Sequence, residues 1–542
     1  MLRLPLLLIL LTCLGLLSAQ PEKRGFDDGT TVTTTFKPKL MPASKLLIDP
    51  SIPKAQNSPI NVDYLAQDYR WNTRKITRIL PPAKHFEPGI DTSYNPNYAR
   101  IGGGNLNHKL LELYMANRAN SKWAYNGAFQ HLSADVNGSL QDFSTNRGYI
   151  SGARFFNRSS MEVRLNYGRD MNRFFAKDTI YKGDAAEIKK IGQNTGFNVL
   201  YDLKYKDRKP GFSAGFMFNN FFNNLKQSET EFGGRFGWDA RFKKAATKGT
   251  LEVTNLQFRQ SFNTVNQWFV DLNPRISFSK KDKALDINAG LNLSWVLRDT
   301  MDPLFYLNPF LQAEKKLEGL KMKIYGGIDG GLRRNSIRRF FESVPFTYDS
   351  IKIRNTYEQL KIFAGIKGSI TDNSQFNLEF GNSTLANMPL IITNNDSIKS
   401  LQVIYDDVNN LYFMADARFS IGERIRVGAT TRVNNYTAKN ELQAWHLPNL
   451  TYAISAQYNL NRKFVFQVGV DGMSRRYNKV LDGPTNLEMK GFADLNCRVD
   501  YILKDMVRFW IQGNNLANMK YQTWYGYNNY RLTILGGLAA SF

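Results

Sequence analysis

Ala284-Leu285-Asp286-Ile287-Asn288-Ala289-Gly290-Leu291-Asn292-Leu293-Ser294-Trp295-Val296-Leu297 is the stretch on which the fold turns. Leu285, Ile287, Ala289, Leu291, Leu293, Trp295 and Leu297 fall on one face of an extended chain, and Asp286, Asn288, Gly290, Asn292 and Ser294 on the other. Successive side chains of a strand point to opposite sides, so a period of two sends one row into an apolar medium and its neighbour into a polar one. Working outward, Phe464, Phe466, Val468 and Val470 alternate with Val465, Gln467, Gly469 and Asp471. Phe413, Ala415, Ala417, Phe419 and Ile421 alternate with Met414, Asp416, Arg418 and Ser420. The texture from Tyr98 onward is uniform and has no linker, which predicts one large all-β unit rather than several domains.

A soluble sandwich would alternate too. Three features separate the alternatives. The polar rows carry full charges in strand after strand, the connections alternate between very short and long, and aromatics make up 13% of the chain and gather at strand ends. Together they predict a closed antiparallel transmembrane β-barrel with tight turns at one end and longer loops at the other. Tight turns are expected near Lys504-Asp505, Asn461-Arg462, Gly422-Glu423, Thr371-Asp372, Glu318-Gly319, Lys281-Asp282, Ala245-Ala246, Asp207-Arg208, Asn157-Arg158 and Arg118-Ala119. Loops are expected near 515–529, 476–487, 436–449, 384–409, 335–357, 170–189 and 134–145, with shorter ones near 299–303, 260–265, 221–227 and 105–107. Eleven loops and ten turns make about 22 strands. Twenty or twenty-four also fit, because boundaries read from sequence carry an error of a few residues. Pro274, inside the strand Trp268–Phe278, lacks a ladder donor and is expected to mark a bulge or a strand end.

Residues 1–19 read as a cleaved signal peptide: Arg3, an apolar run from Leu6 to Leu17, then Ser18-Ala19. Cys13 lies inside that run, which argues against a lipoprotein cysteine, and Cys497 is then left without a disulfide partner. Residues 20–96 contain Pro38, Pro42, Pro50, Pro53, Pro59, Pro81, Pro82, Pro88 and Pro96 and no sustained periodicity, as in an extended periplasmic or lumen-entering segment. The barrel is expected over 97–542. A net charge of +24 is spread along the chain without a basic run or a binding motif, so nucleic acid is not the expected partner.

The two ends of the barrel region carry a resemblance. Gly513-Asn514-Asn515-Leu516-Ala517-Asn518-Met519-Lys520-Tyr521 resembles the Asn-Leu-x-Asn/Asp-x-x-Tyr turn of TonB-dependent receptor barrels, and Arg531 and a last strand ending at Phe542 follow it. Tyr98-Ala99-Arg100-Ile101-Gly102-Gly103-Gly104-Asn105 is similar to the first strand and hairpin of the same family. The resemblance implies Asn515, Leu516, Asn518, Tyr521 and Arg531 as a closing motif and Phe542 as the signal read by the barrel assembly machinery. It implies an outer-membrane location in a Gram-negative bacterium, with outer-membrane lipid, lipopolysaccharide and another outer-membrane or periplasmic protein as partners. The sequence departs from the family in leaving only residues 20–96 for a plug domain. Thr30-Thr31-Val32-Thr33-Thr34-Thr35 reads either as a TonB box or, preferably, as an exposed threonine-rich extension. Asp178-Thr179-Ile180, Asp299-Thr300-Met301, Asp349-Ser350-Ile351 and Asp396-Ser397-Ile398 resemble an O-glycan acceptor pattern, all in expected loops.

No enzyme is expected. His85, His108, His131 and His446 are dispersed, no Ser/His/Asp grouping can be assembled, and no Cys/His or carboxylate motif of metal-ligand spacing appears. Cofactors are therefore not expected either. The candidate residues are lumen-facing charged rows: Asp416 and Arg418 beside Arg426 and Arg432, and Asp494, Arg498 and Asp500 on another strand. Such rows either pair and hold water or steer a solute. Two functions remain: a plugless receptor-like barrel acting as scaffold or partner in an outer-membrane complex, or a transporter or diffusion pore for a small solute, TonB-linked or passive. A lumen this wide leaks unless something fills it, and residues 20–96 are the internal candidate that the sequence offers.

Overall fold

An apolar row that meets lipid and a charged row that meets water require every backbone donor to be paired within the sheet, which only a closed barrel achieves. The computed structural model describes residues 97–542 apart from 118–121, 137–140, 176–188, 205–208, 243–244, 261–262, 281–283, 300, 348–350, 372, 397–398, 423, 462 and 505. The signal peptide, residues 20–96 and the threonine-rich stretch lie outside the described residues, as do Thr179, Thr300, Ser350 and Ser397 of the acceptor-like tripeptides.

Twenty-two antiparallel strands form one sheet. The first strand, Tyr98–Gly104, pairs with the last, Thr533–Ser541, from Tyr98↔Ser541 to Gly104↔Leu535, so the sheet closes on itself. Both chain ends of the barrel meet at this seam, where Asn97 and Phe542 exchange backbone N–H···O bonds of 3.0 Å. These chain ends lie at the rim that carries ten connections of two to seven residues, here called the turn end; eleven connections of two to twenty-two residues define the loop end.

The polarity of the wall is inverted relative to a soluble protein. On the strand Leu285–Arg298, Leu291 and Leu297 are exposed while Ser294 is buried. Ile101, Ile150, Leu165, Ile362, Phe380, Ile454 and Ile511 are likewise exposed, each on the outward row of its strand, while Arg100, Glu229, Glu379 and Asp500 are buried inside. A charge on the outward row would cost roughly 2–4 kcal/mol at the bilayer midplane, which is why that row carries none there.

Three expectations need correction. Pro274 causes neither bulge nor strand end: Asn263–Lys280 runs through it, Pro274 pairs with Gly249, and on the other side the register resumes unchanged from Leu272↔Leu293 to Arg275↔Gly290. The missing donor interrupts one ladder locally, and a wall with two neighbours holds the strand straight. The loop expected at 384–409 shrinks to 394–400, because Ser374–Thr393 and Leu401–Ile421 are strands of 20 and 21 residues. Their distal halves are held by burial of Leu390, Ile392, Leu401 and Val403 against other loops. The turn placed at Ala245-Ala246 falls one or two residues earlier, since Ala245 pairs with Phe242 and Ala246 with Arg241.

Candidate functional site

The loop end holds what the alternation does not account for. Between the strands Met322–Arg333 and Thr356–Gly368 the chain leaves the wall, and its residues 337–343 form a helix, α1 (Ile337–Ser343). Ser336 caps it by accepting from the Arg339 N–H at 3.2 Å. Ile337, Phe340 and Phe341 are spaced i, i+3, i+4 and make one apolar stripe. Ile337 and Phe341 pack on Phe221, Leu256, Phe258, Phe269 and Val296, buried residues of the seventh, ninth, tenth and eleventh strands. Gly192 on the neighbouring strand Lys189–Leu203 supplies the room: a Cβ there would collide with the Phe341 ring.

Arginines fasten the same segment to the wall. Arg334 pairs with Glu252 at 3.1 Å and with Asp271, and its guanidinium lies 4.7 Å from the centre of the Phe269 ring. Arg338 pairs with Glu231 at 3.1 Å, and its backbone N–H donates to Glu229 at 3.2 Å. Lys190 donates to the carbonyl and to the hydroxyl of Thr347. The Gln260 side chain exchanges two hydrogen bonds with the Ile351 backbone, of 2.8 and 3.1 Å.

Beyond the helix, the segment enters a second core. Phe340, Val344, Phe346 and Ile351 pack with Phe174, Ile391, Leu401, Val403, Trp524 and Tyr527. Phe346 stacks on Tyr527 with ring centres 3.7 Å apart, and Phe175 packs edge-on against both. Three connections meet here: those after the fifth, thirteenth and twenty-first strands, which are eight, eight and six strands apart around the ring. Segments so evenly spaced on a circle can touch only by crossing it. Segment 334–355 is thus a second internal candidate for occluding the lumen, beside residues 20–96, which lie outside the described residues.

The remaining loops brace this segment. His446 is fully enclosed: its Nδ1 donates to the Ile391 carbonyl at 2.8 Å and its Nε2 accepts from the Tyr525 N–H at 3.2 Å. Burial pushes its pKa down to about 3, the nearby Arg476 adding to the effect against the Ile391 hydrogen bond. Arg476 itself is buried and donates to the carbonyls of Thr523 and Gln522 at 2.6 and 2.5 Å. Glu441 accepts from Trp445 at 2.8 Å and pairs with Lys479 at 2.9 Å.

The residues singled out from sequence fall as follows. Asp416, Arg418, Arg426 and Arg432 share the inward face, through Asp416↔Thr430, Arg418↔Gly428, Ser420↔Arg426 and Met414↔Arg432. Among the described residues Asp416 and Arg418 form no ion pair; Arg432 donates to Asn434 at 3.0 Å and lies 4.9 Å from the centre of the Tyr412 ring. Arg498 pairs with Asp500 at 2.5 Å, and the ring of Trp510 lies between Arg498 and Arg100. Asp494 belongs instead with the closing motif: it accepts from the Asn515 N–H at 2.9 Å and from the Tyr521 hydroxyl, while Tyr521 stacks on Phe492. Asn515 also bonds both ways with Met519, and Asn518 accepts from Leu532 N–H and from Arg531. Asn515 and Asn518 have φ of 48° and 51°, a left-handed conformation that asparagine tolerates better than most residues. Leu516 donates its N–H to Leu495, and the Phe542 ring stands exposed on the outward row with Ile534 and Leu538. Among the described residues no group of three or more His, Cys, Asp or Glu is arranged to hold a metal ion.

No family model matches the sequence, nor does any curated protein. Solved structures do match the barrel. The FrpB iron transporter from Neisseria meningitidis (F5-1 variant) superposes with a TM-score of 0.64 at 9% identity, covering 83% of this chain and 82% of that one. The copper transporter OprC gives 0.61 at 12% identity, over 82% and 80%. The siderophore receptor PiuA from Acinetobacter baumannii gives 0.61 at 8%, over 82% of each chain. The fold is that of the TonB-dependent receptor barrels. At these identities the likeness is one of architecture, and the receptor-barrel fold says nothing by itself about a ligand.

Proposed function

We propose that this protein is an integral outer-membrane barrel working as a gated transporter or receptor, in which segment 334–355 is the gate. One observation carries the reading: the segment packs with loops from distant parts of the ring and is held by Arg334 and Arg338 on four wall carboxylates, Glu252, Asp271, Glu229 and Glu231. Wide barrels conduct unless filled, so a packed cover argues against a free diffusion pore. The inside-out polarity of the wall and the fold shared with metal and siderophore transporters support the membrane location and the transporter class.

The alternative is a scaffold for another outer-membrane protein. It is favoured by the extent of bracing between loops, since cores such as that around Trp445 build a fixed outer surface. Planar-bilayer recording separates the readings. The native barrel should be nearly silent, and replacing 336–354 by a short Gly-Ser linker should raise conductance on the order of tenfold or more, as for an emptied lumen. High conductance of the native barrel would remove the gate from the account.

A further inference from the structure

The turn end carries a charge pattern that the loop end does not share. Over the full sequence its ten turns hold fifteen lysines and arginines, among them Lys204, Lys209, Arg424 and Lys463, against six acids, Asp207, Asp282, Glu318, Asp372, Glu423 and Asp505. At the loop end cations are interleaved with carboxylates and pair with them, as Lys439 does with Asp407 and Lys479 with Glu441. At the turn end Lys204, Lys209, Arg424 and Lys463 are exposed and form no ion pair among the described residues. The net excess of nine positive charges repels itself and favours counter-charge from outside the chain.

The position of this charge identifies the counter-charge. Arg154 ends the outward, lipid-facing row of its strand, with its guanidinium 5.0 Å from the ring centres of both Trp123 and Phe156. Those rings are themselves half exposed, beside the apolar belt. Lys315 ends another outward row, opposite Leu285. Aromatic rings with long cationic side chains just beyond them settle where acyl chains give way to headgroups. Arg154 and Lys315 thus place cations at the lipid-facing edge of the turn end, and exposed cations recur in its turns at Lys204, Lys209, Arg424 and Lys463.

We propose that the turn end is a binding surface for anionic phospholipid headgroups, with Lys204, Lys209, Arg424 and Lys463 pairing with phosphate and Arg154 seated at the aromatic edge. The proposal rests on the membrane-spanning reading of the barrel.

The test reconstitutes the full-length protein in phosphatidylcholine vesicles and measures, by electron spin resonance, how strongly spin-labelled phosphatidylglycerol and spin-labelled phosphatidylcholine associate with it. Phosphatidylglycerol should be preferred by about threefold or more at low salt, and the preference should fall toward unity in about 0.5 M NaCl. The variant carrying Lys204→Gln, Lys209→Gln, Arg424→Gln and Lys463→Gln should lose at least half of it, whereas Lys490→Gln with Lys520→Gln at the loop end should keep it. Equal association of the two lipids with the native protein, or a preference untouched by the four substitutions, overturns the proposal and redirects the charge to an acidic protein partner. A chain that fails to insert at all overturns the membrane reading as well, and heat-modifiable migration in a denaturing gel distinguishes that outcome.

Discussion

At the turn end two to seven residues join one strand to the next and bury little; at the loop end 334–355 and its neighbours build apolar cores of their own. The wall between them is uniform, so the contrast is not imposed by the barrel. Connections need only reverse the chain, and short ones do so at low entropic cost. Where they are long, ordered and ion-paired, the added residues have a task beyond reversal, which we propose is to cover the lumen. The difference teaches where mutation should be felt: the loop end should respond like a protein interior and the turn end like a surface.

The largest departure should come from Arg334→Ala with Arg338→Ala. Both arginines are largely buried, and Glu229 beneath them is 1% exposed. Removing one partner of a buried pair leaves a charge uncompensated, at about 3–5 kcal/mol. Hydrogen exchange over 334–355 should accelerate accordingly, and unchanged protection would mean that the apolar stripe alone holds the segment. Next is Phe346→Ala, which removes the ring stacked on Tyr527 and should destabilise the cover by roughly 3 kcal/mol. A response confined to 344–351, without change at Phe174 and Trp524, would break the picture of one shared core.

The third departure is in pH. His446 is neutral in the fold with its pKa depressed to about 3, against 6.5 when released. Its contribution is therefore complete above pH 6.5 and is lost progressively as pH falls from 6.5 toward 3, where the released form binds a proton that the folded form refuses. The amide of Tyr525 should lose protection across that window, and His446→Gln should flatten the dependence. The smallest effect is expected at the turn end. Gly422 has φ of 57° with open space around it, so Gly422→Ala meets only the left-handed backbone penalty, about 1 kcal/mol. A larger loss there would mean that the turns also carry structure.

The same contrast governs what could be read from sequence. The turn end and the wall were nearly all legible, because a period of two reports which face each side chain takes; Asp416 and Arg418 fall on the inward row as the alternation requires. Spacing reports a face and not a partner, so the Trp510 ring between Arg100 and Arg498 could not be foreseen from positions more than three hundred residues apart. Helix α1 has its signal in the sequence, Ser336 as cap, then Ile337, Phe340, Phe341 and Val344 at i, i+3, i+4 and i+7, but the signal is short. The closing motif is proposed from its likeness to other barrels, and nothing in that likeness gives the Asp494–Tyr521 and Asn515–Met519 hydrogen bonds.

The seam has a consequence in time. Tyr98 and Ser541 are bonded neighbours, yet one is made at the start of the barrel and the other at its finish. Until the last strand is made, the first strand keeps a bare row of donors and acceptors, the kind of edge on which other chains nucleate. Its brevity, seven residues with three glycines at the end, makes it a poor template for strangers while its proper mate is still on the way.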